Sequence, residues 1–115
     1  VSSLNITQAE RYIWQRRAAA ALARLLDEHR HLPAITWTVG PAGSVLMGRV
    51  NGLQPAAQAR AVFEAWTAAL AIDERREHTN HAVTCLVAHT RRDSVDIGLR
   101  ADLIGDDSLG EEAQR

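Results

Sequence analysis

Residues 95–103, VDIGLRADL, alternate without a break: Val95, Ile97, Leu99, Ala101 and Leu103 on one side, Asp96, Gly98, Arg100 and Asp102 on the other. A period of two marks a strand with one apolar and one polar face. Such a strand is not stable alone in water; its apolar face needs partner strands and a covering layer.

The covering layer is legible as two amphipathic helices. Thr7-Gln8-Ala9-Glu10 is a capping box, in which Thr7 accepts from the N3 amide and Glu10 reaches back. A helix is expected from there to about His29, with Trp14, Ala18, Ala21, Leu22, Leu25 and His29 on one face. Ala18 to Ala21 raise its helix propensity and let another element approach closely, and Pro33 closes the segment. Asn51-Gly52 has hairpin chemistry, but the residues after it carry a helical pattern. Pro55 suits a first helical turn. Ala59, Val62, Phe63, Trp66, Ala69 and Leu70 then form a stripe, with Gln58, Arg60, Glu64 and Thr67 opposite, predicting a helix over 55–73.

The partner strands come from two hairpins. Ile35, Trp37 and Val39 alternate with Thr36 and Thr38; GPAG at 40–43 is turn chemistry, and a return strand is expected over 44–50. Val83, Cys85 and Val87 alternate with Thr84 and Leu86, and TRRD at 90–93 reads as the turn into the strand at 95. DERREHTN, 73–80, reads as a charged exit from the second helix, adding at most a further helical turn. The segment 105–115, GDDSLGEEAQR, is read as an acidic disordered tail.

The two hairpins resemble each other. AITWTVGPAGSVLMG (34–48) and AVTCLVAHTRRDSVDIG (82–98) both open Ala-(Ile/Val)-Thr, carry Val five residues after that Ala, and close on Ser-Val-x-(Met/Ile)-Gly. On this alignment Cys85 takes the place of Trp37, and both read as core. Duplication of a helix-plus-hairpin unit, residues 7–50 and 55–103, is one account; the small vocabulary of β-strands is the other. Either way the expected fold is α+β in the order α-β-β-α-β-β. A four-stranded antiparallel sheet carries both helices on one face, in one domain over residues 1–104.

Composition narrows function mainly by exclusion. A chain of 115 residues with 46 % apolar content builds a core without disulfides or metals. The lone Cys85 permits no internal disulfide, no apolar run is long enough to cross a bilayer, and no signal segment is evident, so a cytoplasmic protein without membrane contact is expected. A formal charge of −1 provides no global field for nucleic acid. Every basic residue is Arg, which reads as GC-rich codon usage.

No constellation supports a reaction class. The pairs His29/His31 and His78/His81 lack a third ligand, and Cys85 lies mid-strand rather than in an exposed electropositive setting. There is neither a Gly-x-Ser-x-Gly elbow nor a phosphate-cradling Gly loop. A non-enzyme without cofactor or metal is expected.

Interaction residues are more legible. Trp37 and Trp66 lie on core stripes, whereas Tyr12, Ile13 and Trp14 form an aromatic patch that one helix face cannot bury. If Trp37 and Val83, Cys85 and Val87 face the helices, the other sheet face holds Thr36, Thr38, Thr84, Leu46 or Met47, Leu86, Asp96 and Arg100. A partner surface of Tyr12, Trp14, Thr36, Thr38, Thr84 and Leu86 results, serving a homodimer that also binds a further protein. The alternative is nucleic-acid binding through Arg91 and Arg92 at a hairpin tip, joined by Arg16 and Arg17. A third reading is a small-ligand domain in which His29, His78 or His89 borders a cavity.

LPAITWTVGPAGSVLMGRVNGLQPAAQARAVFEAW, residues 32–66, resembles a group of small actinobacterial proteins, some encoded near mobile elements. The resemblance spans about a third of the chain and contains no chemical motif. It implies a cytoplasmic bacterial origin and assigns no functional residue.

Overall fold

The computed structural model describes residues 7–40 and 43–104. Pro41 and Ala42 of the first hairpin turn and the acidic segment 105–115 lie outside the described residues, as do the expectations made for them. The chain runs α1 (Gln8–Glu28), β1 (Thr36–Val39), β2 (Val45–Arg49), α2 (Ala56–Ala69), β3 (Arg75–Asn80), β4 (Val83–Arg92) and β5 (Val95–Ile104). The class is α+β, with two helices and five strands, one more than the sequence suggested.

The strands form one mixed sheet in the order β1-β2-β5-β4-β3. The chain leaves β2, passes through α2, lays down β3 and β4, and returns with β5 into the middle of the sheet. Thus β5 runs antiparallel to β4 and parallel to β2, with Leu46 opposite Ile97 and Gly48 opposite Leu99. The expected all-antiparallel sheet is corrected at this one seam, because the parallel join needs a crossover and the helix supplies it.

The central strand behaves as its alternation requires: Val95, Ile97, Leu99, Ala101 and Leu103 are all buried. Over them lie Val62, Phe63, Trp66 and Leu70 of the α2 region, together with Ala18 and Leu25 of α1. Trp66 anchors this layer. Its indole Nε1 donates to the Pro33 carbonyl at 2.8 Å, and the Trp37 and His29 rings meet it edge-on at 5.5 and 6.1 Å. The capping box forms as read: the Glu10 amide donates to Thr7 Oγ1, and the Thr7 amide donates to Glu10 Oε1.

Three local readings are corrected. First, α2 ends at Ala69, not near 73. Ala71 turns left-handed (φ 54°), and the Ile72 amide donates back to the Thr67 carbonyl, seating Leu70 and Ile72 in the core. Thr67 is buried rather than exposed, its hydroxyl donating to the Glu64 carbonyl. Second, 75–80 is an edge strand, not helix: Arg75 to Asn80 pair along β4. Third, the β4–β5 turn is Asp93-Ser94 alone, with φ 50° and 66°, two left-handed residues as in a type I′ hairpin.

The tight turn sets Arg92 opposite Val95 and so puts Leu86 and Ala88 on the helix side, opposite Ala101 and Leu99. Val83, Cys85 and Val87 therefore face away from the helices, the reverse of the expectation. Cys85 and Trp37, matched by sequence likeness, lie on opposite faces.

Candidate functional site: the open face of the sheet

Both helices pack on one side, so the second side of the sheet is uncovered. Antiparallel pairing places directly opposed residues on one face, which orders this surface into rows across the strands. From the end of β5 upward, the first row is Asn80, Val83 and Ile104, and the next is His78, Cys85 and Asp102. Then come Arg76, Val87, Arg100, Arg49 and Thr36 in one line across all five strands. Above it lie His89, Gly98, Met47 and Thr38, then Arg91, Asp96 and Val45. Glu74, whose carbonyl accepts from the His89 amide, borders the face at that end.

Electrostatically the centre is an Arg-Asp-Arg group. Asp102 accepts from Arg49 Nη2 at 3.1 Å and from Arg100 Nε at 3.2 Å. Its side chain is only 19 % exposed, against 66 % for Arg49. The Cys85 thiol stands directly opposite Asp102 on the neighbouring strand. Partial burial, with that carboxylate, pushes the thiol above its ordinary range, while Arg100 and Arg49 pull it back. Cys85 is therefore a neutral, weakly nucleophilic thiol near pH 7. Arg76 makes no ion pair with a described residue. Arg91 reaches Asp96 at 3.5 Å, and His89 approaches the same carboxylate at 3.8 Å.

Apolar side chains are interleaved with these charges. Met47, Val83, Val87 and Ile104 are all exposed on this face. Met47 lies over Gly98, the position in the neighbouring strand where a side chain would otherwise stand.

The sequence-predicted partner residues divide. Thr36 and Thr38 lie on the open face at its β1 edge. Leu86 does not; it is buried beneath the helices. Thr84 also faces the helix side, where its hydroxyl meets that of Thr79 at 2.9 Å. Both corrections stem from the β4 register. Tyr12 is 61 % exposed and Trp14 half-buried on α1, in the other layer of the molecule. Of the alternatives Leu46 and Met47, only Met47 reaches the open face.

The nucleic-acid set does not assemble. Strand alternation sends Arg91 to the open face and Arg92 to the opposite one, where it lines a cleft with Arg24, Glu28 and Asp93. Arg16 lies 5.6 Å from the Tyr12 ring on α1, and Arg17 is exposed on that helix. The histidines also separate: His29 packs beside Trp66, whereas His78 and His89 stand in different rows of the open face. Among the described residues no three His, Cys, Asp or Glu side chains are grouped to hold a metal ion, and no helix is long and apolar enough to cross a membrane.

Sequence reasoning missed Arg49, Arg76 and Asp102 as members of this surface. Asp102 was readable, being on the polar side of the 95–103 alternation. Arg76 was not, because its strand has no apolar face. No protein-family model, curated protein or solved structure matches the chain.

Proposed function

We propose that the chain is a non-catalytic interaction module that pairs with a second copy of itself through the open face of the sheet, and in that state serves as an adaptor for a further protein. The observation that carries this reading is the placement of both helices on one side, with Met47, Val83, Val87 and Ile104 exposed among charges of both signs on the other. A twofold contact requires a self-complementary surface. Here the Arg row adjoins the row holding Asp102 and lies two rows from Asp96, so a second copy turned over about a twofold axis in the plane of the face, running across the strands, sets arginines against aspartates and brings Met47 towards its own counterpart.

Size limits the affinity. Five strands about 4.8 Å apart and roughly 25 Å of usable length give a footprint on the order of 600 Å². A stable interface buries roughly 800 Å² per partner. A micromolar dimer is the expected result.

Sedimentation across the micromolar range tests this. The wild-type chain should pass from monomer to dimer, Met47→Glu should stay monomeric, and Leu53→Glu, at a 93 % exposed loop position away from the face, should dimerise like wild type. A wild-type chain monomeric throughout, or a Met47→Glu chain that dimerises normally, overturns the proposal.

A further inference from the structure

The sheet ends in two strands of different chemistry. On one side β3 reads RREHTN, a charged edge of the kind that resists further pairing. On the other side β1 reads TWTV, with neither charge nor proline and with high strand propensity throughout. Among the described residues no strand pairs beyond it. The Gly40 amide donates to the Val45 carbonyl, which makes these two a hydrogen-bonded pair. Alternation then turns the backbone groups of Thr38 and Thr36 towards β2 and aims those of Trp37 and Val39 at the free edge.

This edge is complementary to itself. Laid antiparallel to a second β1 about a twofold axis at Thr38, Trp37 meets Val39 of the second copy, and about four backbone hydrogen bonds close between the strands. Trp37 with Val39 is an aromatic–β-branched pair on the helix side, and Thr38 with its own counterpart a hydroxyl pair on the open face; both are favourable across strands. The helix layer leaves room for this approach. α1 lies over β1 and β2, with the Ser44 hydroxyl donating to the Trp14 carbonyl. Its Arg24, Leu25 and Glu28 line the cleft towards Arg92 and Ile97, so its other flank, with exposed Ala19 and Ala23 at mid-helix, overlooks the β1 edge.

We infer that β1 is a second contact between copies of this chain, joining two five-stranded sheets edge to edge into one of ten. Area argues for this occupant. Edge joining keeps both open faces on the same side, so the joined pair presents on the order of 1,200 Å², above the roughly 800 Å² per partner that one face alone does not reach. The axes agree as well. The face axis proposed above runs across the strands along the Met47 row, and Thr38 is the register partner of Met47, so it reaches β1 where the edge axis stands. Two perpendicular twofolds that meet close a four-chain assembly. The edge contact does not involve the open face; the four-chain assembly rests on the face pairing. A four-residue edge is small, so in the micromolar range it forms only transiently by itself and persists where two such contacts form together.

The test uses full chains carrying Cys85→Ser and one new cysteine, under mild oxidation. Thr38→Cys stands on the edge axis, where opposed Cα atoms lie about 4.5 Å apart, within disulfide reach. Across stacked faces, about 10 Å apart, it is out of reach. Thr36→Cys is also exposed but lies more than about 13 Å from its counterpart. Thr38→Cys should crosslink about ten-fold faster than Thr36→Cys or more, and should keep that advantage when Met47→Glu blocks face pairing. Equal rates, or a Thr38→Cys crosslink lost with Met47→Glu, overturn the edge contact. In sedimentation the purified disulfide-linked pair should form four chains at least about ten-fold more tightly than the wild-type chain dimerises. Association no tighter than that overturns the closed assembly. A linked pair that does not associate at all leaves the edge contact standing and removes the face pairing, with the assembly that rests on it.

Discussion

Gly48 and Gly98 sit one register step apart on adjacent strands, but a methyl group at each meets different resistance. On Gly48 it would lie 2.8–2.9 Å from Leu99, Ile35 and Trp37, three side chains packed under the helices. Trp37 in turn lies against Trp66, so it has little room to retreat. On Gly98 the methyl would meet the Sδ and Cε of Met47, the flexible end of an exposed side chain. Overpacking a core costs about 1–3 kcal/mol, whereas a surface methionine swings aside. Gly48→Ala should therefore lower unfolding free energy by about 1–3 kcal/mol and Gly98→Ala by under about 1 kcal/mol, measured by denaturant titration. Equal losses would show that the slot beneath Trp37 is no tighter than the open face.

At the scale of elements, β3 is held in an unusual way. Its helix-side residues are Arg75, Glu77 and Thr79, opposite Ala88, Leu86 and Thr84, and no apolar residue of β3 enters the core. Charge pairs with α2 take the place of apolar packing: Arg60 donates twice to Glu77, at 3.0 and 3.1 Å, and Arg75 donates to Glu64. The Arg60 pairing holds the Glu77 carboxyl below its ordinary range. Exposed pairs of this kind contribute about 1 kcal/mol or less. Arg60→Ala should thus barely move global stability but should speed hydrogen exchange at β3 amides selectively, as should protonating Glu77 at acid pH. Uniform exchange across β3, β4 and β5 in both chains would sink this account. The same chemistry explains why β3 was illegible in the sequence. RREHTN has no hydrophobic period because ion pairs anchor it, whereas α1, α2 and β5 were readable through their apolar stripes. β4 failed differently: Val83, Cys85, Val87 and Leu86, Ala88 are both apolar sets, so periodicity alone cannot choose a face. The deciding information lay in the turn. Two residues at Asp93-Ser94 tie Arg92 to Val95, and the unambiguous β5 then forces Leu86 inward. Reading TRRD as the turn lost that constraint, and with it the placement of Thr84, Leu86 and Cys85 in the candidate site.

For the whole molecule, Cys85 is a reporter already built into the proposed interface. It stands mid-face, between His78 and Asp102 across the strands, and is the sole thiol of the chain. Alkylation proceeds through the thiolate, so the raised thiol should react more slowly at neutral pH than a free cysteine, and its rate should climb only at higher pH than a free thiol requires. A second copy on the open face removes access altogether. With reagent in excess and pH fixed, the rate constant should therefore fall as protein concentration passes through the dimerisation range, and Met47→Glu should hold the monomer rate at every concentration. The comparison distinguishes surfaces as well as states. A dimer built on the exposed side of α1, through Tyr12 and Ile13, would appear in sedimentation yet leave Cys85 equally reactive at all concentrations. That result would move the interface to the helix layer and leave the Arg-Asp-Arg face to solvent.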